Sequence, residues 1–203
     1  RADQTAAVRR GLMLAGDAFV TAPLADITVM AEGASLHVTS PDIVSKVSAA
    51  ETTAAELGGS AVHANETGLA QLTAATDADA VELARAVVSY LPLNNKATSP
   101  LGAEAAAADT DLDTFIPDDD NQPYDVADII AAVTDGDFLE LSPEFAASVV
   151  TGFAHVGGRA VGVVATQPSV LAGCLTRDAA RKAARFIRTC DAFNLPIVQL
   201  VDC

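Results

Sequence analysis

Positive charge is concentrated in one short segment of an otherwise acidic chain. Several basic residues between positions 177 and 188 are four residues apart, and on a helix that spacing places side chains on one face. Such a face could bind an anionic cofactor or partner, for example through the phosphates of coenzyme A, with Arg185 and Arg188 as the candidate ligands. A solvated face, or ion pairs within an oligomer, is the alternative. The basic residues of the segment are Arg177, Arg181, Lys182, Arg185 and Arg188.

The sequence shows no motif for a side-chain nucleophile or a metal centre. None of the histidines, His37, His63 and His155, stands beside a Ser, Cys or carboxylate in a known catalytic spacing. His37 and His155 lie in strand patterns and are predicted to be hydrogen-bonded structural residues. The acidic run at 118–120 is predicted to be a solvated charge run, with a cation site as the less favoured alternative. We therefore predict no metal.

The cysteines are predicted to be buried, reduced thiols. They are odd in number, occupy apolar or helical contexts and lack metal-ligand spacing. Reduced thiols are typical of the cytosol. The residues concerned are Cys174, Cys190 and Cys203.

Backbone groups near Gly16 offer a different chemistry. Gly16 and Asp17 form a small-residue turn before an apolar segment, and free N–H groups at such a turn can stabilise a developing negative charge, as in an oxyanion hole. The alternative is an ordinary tight turn.

Composition narrows the function classes. The formal net charge of −15 and the pI near 4.3 oppose nucleic-acid binding as the main task. No signal peptide or membrane-spanning run is present in the sequence, which predicts a soluble protein. Half of the residues are apolar but only 4% are aromatic, which favours an α/β protein with closely packed helices.

Local patterns predict elements in two groups. In the first, strands are expected at 24–30 and 35–39, a helix from Pro41, and a helix over 77–90 behind an Asp cap with Val81, Ala84, Val87 and Val88 inward. Residues 94–123 lack periodicity and are predicted to be an acidic linker.

The second group begins with a helix at 124–133 and a strand from Phe138. A Gly157-Gly158 hairpin is expected between strands 149–155 and 159–165. A helix over 176–194 should then lead by a crossover into a strand at 197–201 that is buried on both faces. The inward face predicted for the long helix consists of Ala180, Ala183, Ile187 and Cys190.

Several stretches resemble the carboxyltransferase (beta) subunits of biotin-dependent acyl-CoA carboxylases, of the propionyl-CoA and long-chain acyl-CoA type, in the crotonase superfamily. The resemblance is carried by residues 14–30, 36–44, 56–70 and 89–95, and above all by AARFIRTCDAFNLPIVQLVD at 183–202. It implies an α/β, crotonase-like ββα superhelix with parts of two such domains. Residues 1–93 would end the N-terminal carboxyltransferase domain, 94–123 would be the linker, and 124–203 would begin the C-terminal domain. The chain is therefore expected to be an internal part of a longer protein.

The resemblance also implies an activity. A carboxyl group would move from carboxybiotin, on a partner carrier subunit, to the α-carbon of an acyl-CoA through an enolate. Backbone oxyanion holes would hold the charged oxygens, one of them formed by Gly16 and Asp17. The implied partners are a biotin carboxylase, the biotin carrier and other carboxyltransferase subunits in a hexameric ring, in the cytoplasm, without nucleic acid or membrane.

The chain departs from the family pattern at several positions. Asp17 stands where the family has a second glycine, Thr166 where asparagine is common, and Gln71 where histidine is frequent. These departures leave two alternatives, a non-catalytic scaffold subunit of a mixed carboxylase complex and an enzyme of the enoyl-CoA hydratase/isomerase type.

Overall fold

The computed structural model describes residues 6–9, 24–102, 115–117, 119 and 122–202, with the backbone alone for 6–9. The chain divides into two compact units between Val88 and Ser89. Helices and strands occur in both units, as expected of an α/β protein. Among the described helices, none is long and apolar enough to cross a membrane.

A parallel sheet forms the core of the first unit. Within the described residues its order is β1 (Ala6–Arg9), β2 (Ile27–Ala31) and β3 (Leu72–Ala74). Every residue of β2 is buried, as expected for an apolar, β-branched strand covered on both faces. This confirms the strand predicted at 24–30, although the strand begins only at Ile27.

The strand predicted at 35–39 is wrong. Only Ser35 forms a bridge, to Gly59, because the chain turns at Gly33 (φ +77°) and Leu36 N–H then donates to Gly58 O at 2.7 Å. The backbone of this segment therefore pairs with a helix end and not with a neighbouring strand.

Three short helices follow β2 in the sequence: α1 (Pro41–Ser48), α2 (Ala54–Gly58) and α3 (Ser60–Asn65). Helix α1 begins at the proline, as predicted, although Ser40 forms no side-chain cap. At α2 the Thr53 hydroxyl and the Glu56 carboxylate form a reciprocal capping box.

Helix α4 (Asp77–Tyr90) has the predicted bounds, but its cap and its face differ. Thr76 is the cap, since its hydroxyl accepts from Asp79 N–H and the Asp79 carboxylate accepts from Thr76 N–H. Val87 is fully buried, whereas Val81 and Val88 are exposed. Ala residues fit either environment, so the pattern alone did not fix the inward face.

The second unit has a mixed sheet between two helices. Its described elements are α5 (Val126–Val133), β4 (Leu139–Leu141), β5 (Val149–Val156), β6 (Arg159–Thr166), a 3₁₀ turn (Leu171–Gly173), α6 (Arg177–Phe193) and β7 (Ile197–Leu200). Strands β4, β5 and β6 pair antiparallel, and β7 pairs parallel to β6 after the α6 crossover. Helix α5 packs on one face through Val126 and Ile130, and α6 packs on the other through Phe186, 5.2 Å from Phe153.

The hairpin prediction is confirmed. Gly157 and Gly158, with φ of +57° and +72°, join β5 to β6. Both N–H groups donate to the Asp135 carboxylate, at 3.0 and 2.7 Å. Part of the predicted linker also lies along this hairpin, because Ala160 N–H donates to Pro100 O and Gly102 N–H to Gly158 O.

The inward face predicted for α6 is wrong except at Cys190. The buried residues are Ala179, Lys182, Phe186, Thr189 and Cys190, a face that includes a lysine because its amine finds backbone acceptors. Close approach of the helix to β6 depends on Gly162, where a Cβ would lie 2.5 Å from Cys190 Sγ.

Two further burial predictions are wrong. Strand β7 alternates exposed and half-buried residues, because Val198 and Leu200 pack against the core cluster while the alternate residues point to the other face. Cys174 is exposed, since it follows a 3₁₀ turn at the surface, while Cys190 is buried as expected and Cys203 lies outside the described residues.

Candidate functional site

The carboxyl ends of β6 and β7 bring distant parts of the second unit together. These strands are parallel neighbours, paired from Gly162 with Ile197 to Ala165 with Leu200. In open α/β sheets ligands bind outside the carboxyl ends of such strands. We call the hydrogen-bonded group found there the carboxyl-end network. Its members are Tyr124, Asp125, Thr166, Gln167 and Asp202.

Thr166 fixes the chain just beyond β7. Its hydroxyl donates to Asp202 O at 2.8 Å and accepts from Asp202 N–H at 2.8 Å. Gly173, with φ of +70°, lies against the same carbonyl, where a Cβ would come within 2.7 Å of the oxygen. The loop after β6 and the chain after β7 are thus packed together at the sheet edge.

Gln167 connects this edge to the start of α5. Its side chain is buried, and its Oε1 accepts from Val126 N–H at 3.2 Å while its Nε2 donates to Asp125 Oδ1 at 2.8 Å. Asp125 is also the N-cap of α5. Gln167 therefore holds the residues that directly follow Tyr124.

Tyr124 completes the network from the other side. Its hydroxyl donates to Asp202 Oδ2 at 2.6 Å. Burial, together with the neighbouring Asp202 carboxylate, raises the pKa of Tyr124 to about 12. At neutral pH the phenol is therefore protonated. Tyr124 acts in this site as a hydrogen-bond donor and not as a general acid or base.

The proposed oxyanion residues, Gly16 and Asp17, lie outside the described residues. Their role stays a prediction. Over the part of the chain that is described, no group of three His, Cys, Asp or Glu residues could hold a metal ion.

The basic segment on α6 is not the continuous exposed stripe that the spacing predicted. Arg177 and Arg181 both pair with Asp178, at 3.2 and 3.1 Å, and hydrogen bonding from Arg177 lowers the pKa of that exposed carboxyl. Arg188 is exposed, whereas Arg185 is half-buried and interacts within the chain. Anion binding by Arg185 and Arg188 stays a prediction.

Lys182 is a buried residue whose role the sequence did not indicate. Its Nζ donates to Ser142 O at 2.8 Å and Phe145 O at 3.0 Å. Burial lowers the pKa of Lys182 to about 8, partly opposed by the charge of Glu140. Ser142 has a φ of +55°, so the amine holds a strained turn between β4 and β5. The signal available was its position between Ala179 and Phe186 on one helix face.

His155 belongs to a closed structural cluster. Asp137 accepts from His155 N–H at 3.0 Å, and its other carboxylate oxygen contacts His155 Nδ1 and accepts from Tyr90 O–H at 3.0 Å. The Tyr90 and His155 rings stack at 4.8 Å. Gly102 packs against the imidazole, where a Cβ would lie 2.8 Å from Nε2. The predicted structural role is confirmed, but the carboxylate partner was missed because it lies 18 residues away.

His63 and Gln71 also serve the fold. His63 Nε2 lies 2.7 Å from Leu36 O and its Nδ1 lies 2.9 Å from Thr67 Oγ1. Gln71 Oε1 accepts from Thr28 N–H at 2.7 Å and its Nε2 donates to Gly68 O at 2.9 Å. The departure at Gln71 is thus accommodated by backbone hydrogen bonds in the first unit.

Comparison with known proteins decides the family. The model of the carboxyl transferase domain matches residues 5–203. The chain belongs to the carboxyl transferase family. It is 44% identical over 193 residues to the propionyl-CoA carboxylase beta chain of Cereibacter sphaeroides, covering 93% of this chain and 38% of that protein.

Two further relatives agree. The biotin-dependent acetyl-/propionyl-coenzyme A carboxylase beta5 subunit of Mycobacterium tuberculosis is 42% identical over 199 residues, covering 93% of this chain and 36% of that protein. The structure of transcarboxylase 12S, solved as a hexamer with hydrolysed methylmalonyl-coenzyme A, superposes with a TM-score of 0.92 at 38% identity, over 97% of this chain and 40% of that one. The family resemblance and the α/β, crotonase-like fold class are therefore confirmed. The chain spans well under half the length of these relatives.

Proposed function

We propose that the polypeptide containing this sequence is a carboxyltransferase subunit of an acyl-CoA carboxylase. It would move a carboxyl group from carboxybiotin to the α-carbon of an acyl-CoA. The observation that carries the proposal is the family match over residues 5–203, with 44% identity to a propionyl-CoA carboxylase beta chain.

The residues of the described carboxyl-end network fit this chemistry because they are hydrogen-bonding groups, Tyr124, Thr166 and Gln167, without a poised nucleophile. Biotin, when bound on its carrier, supplies the carboxyl group that is transferred. The protein's task is to position the reactants and to stabilise charge on the thioester oxygen.

We propose that the backbone N–H groups of Gly16 and Asp17 stabilise that oxygen. A donor on the main chain is independent of the side chain, so an aspartate can occupy the second position if its carboxylate points away from the enolate. In the same proposal Arg185 and Arg188 contact the phosphates of coenzyme A.

The proposed partners are a biotin carboxylase, a biotin carrier subunit and further carboxyltransferase subunits. The hexamer named for transcarboxylase 12S supports a ring of the same kind. We propose a cytoplasmic location, supported by the unpaired thiols of Cys174 and Cys190.

The test is carboxyl transfer by the full-length polypeptide with its biotinylated carrier, comparing Asp17→Gly with Asp17→Pro. Glycine keeps the backbone donor, whereas proline removes it. We expect activity to survive in Asp17→Gly and to fall about 100-fold to 1000-fold in Asp17→Pro. Size-exclusion chromatography and circular dichroism report whether the proline variant still folds and assembles, and Asp17→Asn controls for loss of the charge alone.

The alternatives predict different results. A scaffold subunit would leave transfer unchanged in both variants, with activity lost only when other subunits are altered. An enzyme of the hydratase/isomerase type would hydrate or isomerise an enoyl-CoA without the carrier. Either result would overturn the proposal.

A further inference from the structure

We propose that Thr166 and Tyr124 are positioning residues that fix Asp202 at the carboxyl ends of β6 and β7. Because the inference makes this edge part of the substrate site, it rests on the proposed function. The geometry that carries it lies entirely within the second unit.

The Thr166 hydroxyl holds the main chain of Asp202 at both of its polar groups. One oxygen donates to Asp202 O and accepts from Asp202 N–H, each at 2.8 Å, across 36 residues of sequence. Both contacts lie at the surface, where water would otherwise compete for the same groups. Without the hydroxyl, the chain beyond β7 would lose its hydrogen bonds to β6 at this point.

Tyr124 fixes the side chain of the same residue. Its hydroxyl donates to Asp202 Oδ2 at 2.6 Å, and Gln167 holds the two residues that follow it. The backbone of Asp202 is therefore held by the end of β6, and its carboxylate by a residue just before α5.

Gly173 shows that the loop after β6 is shaped to the same residue. Its positive φ and the 2.7 Å separation of a Cβ from Asp202 O leave no room for a side chain. Thr166, Tyr124 and Gly173 thus all lie against Asp202. A residue so constrained has its orientation set before any ligand arrives, which is what precise positioning requires.

The experiment uses the full-length polypeptide with its carrier. Thr166→Val removes the hydroxyl but keeps the side-chain shape, whereas Thr166→Ser keeps the hydroxyl. Thr166→Asn supplies one donor and one acceptor on separate atoms. The matched control is Thr134→Val, which removes a buried hydroxyl whose bond to Ile130 O is also 2.8 Å long, at the hairpin end of the unit.

The readouts are kcat and KM for the acyl-CoA, together with hydrogen exchange in peptides covering residues 197–202. For Thr166→Val we expect kcat to fall about tenfold or more with little change in KM, and exchange to be about tenfold faster. Thr166→Ser and Thr166→Asn should stay within about threefold of the unaltered protein. Tyr124→Phe should show a smaller fall in kcat, since the backbone bonds remain.

Each contrary outcome overturns the inference. A purely structural role would lower stability in Thr166→Val, as in Thr134→Val, and leave kcat unchanged in both. Failure of Thr166→Ser to restore kcat would show that the hydroxyl is not the acting group. A different result is that the unaltered protein transfers no carboxyl group while hydrogen exchange at 197–202 is still faster in Thr166→Val. The proposed function would then be wrong, and the positioning role in catalysis with it, but the contacts between Thr166 and Asp202 would be supported.

Discussion

Because its amine is buried, Lys182 should make the stability of the second unit change with pH in the alkaline range. Burial lowers its pKa from 10.5 to about 8. The folded protein therefore releases this proton at a lower pH than the unfolded chain does. Between about pH 8 and 10.5 the unfolded chain binds more protons, so the free energy of unfolding rises with pH across this window.

The size of the effect follows from the pKa difference. Each pKa unit corresponds to about 1.4 kcal/mol, so the full change for Lys182 is roughly 3 kcal/mol. About 2 kcal/mol of it should develop between about pH 7 and about pH 9.5.

The measurement is urea unfolding of the unaltered protein and of Lys182→Met over that range of pH. Methionine keeps the length and apolar stem but cannot titrate, so the difference between the two proteins isolates this one group. The offset between them at neutral pH is not the test, because Ser142 O and Phe145 O lose their donor in the variant. The test is how steeply the difference in the free energy of unfolding between the two proteins changes with pH.

Two results would refute the reasoning. A difference that stays flat within about 0.5 kcal/mol over this range would show that the amine is not desolvated. A difference that falls with rising pH would mean that the pKa is raised, as expected if a carboxylate paired with the amine more strongly than burial penalised it.

Two further predictions concern stability. Gly58→Ala should lower the free energy of unfolding by about 2 to 5 kcal/mol, because its Cβ would overlap Leu36 O and break the adjoining hydrogen bonds. Gly33→Ala should lower it by only about 1 to 2 kcal/mol, because there is open space around Gly33 and only its φ of +77° is unfavourable for alanine. Equal losses of stability in urea unfolding would contradict this account. At Asp137, burial acts to raise the pKa, but hydrogen bonds, chiefly from His155, outweigh it and lower the pKa below 3.8. Because the Asp137 side chain is 42% exposed, solvent screening should limit the cost of Asp137→Asn to about 1 kcal/mol at neutral pH. This difference should disappear as the pH falls below 3.8 and through the lowered pKa of Asp137. A cost that persists in acid would show that the carboxylate charge is not the cause.

Local signals in the sequence determined much of the second unit. The glycine pair at 157–158 specifies the hairpin because both residues adopt positive φ without steric cost. Thr176 and Asn194 bound the long helix, one as a side-chain cap and the other in the left-handed conformation. These features depend on neighbours within a few residues, so they can be read without a structure.

Burial could not be read as reliably from the same patterns. The buried face of α6 includes Lys182, whose acceptors lie 40 and 37 residues away. Those acceptors exist only once β4 and β5 have formed. Periodicity records where apolar residues recur, but not which polar group finds a distant partner.

The sequence by itself indicated the family, which the comparisons confirmed, and it determined most element bounds in the second unit. Only the tertiary structure decided that Thr166 meets Asp202 across 36 residues and that His155 meets Asp137 across 18. The physical reason is that these contacts depend on the parallel pairing of β6 with β7 and on the packing of the hairpin against its neighbours, which side-chain spacing along the chain does not encode.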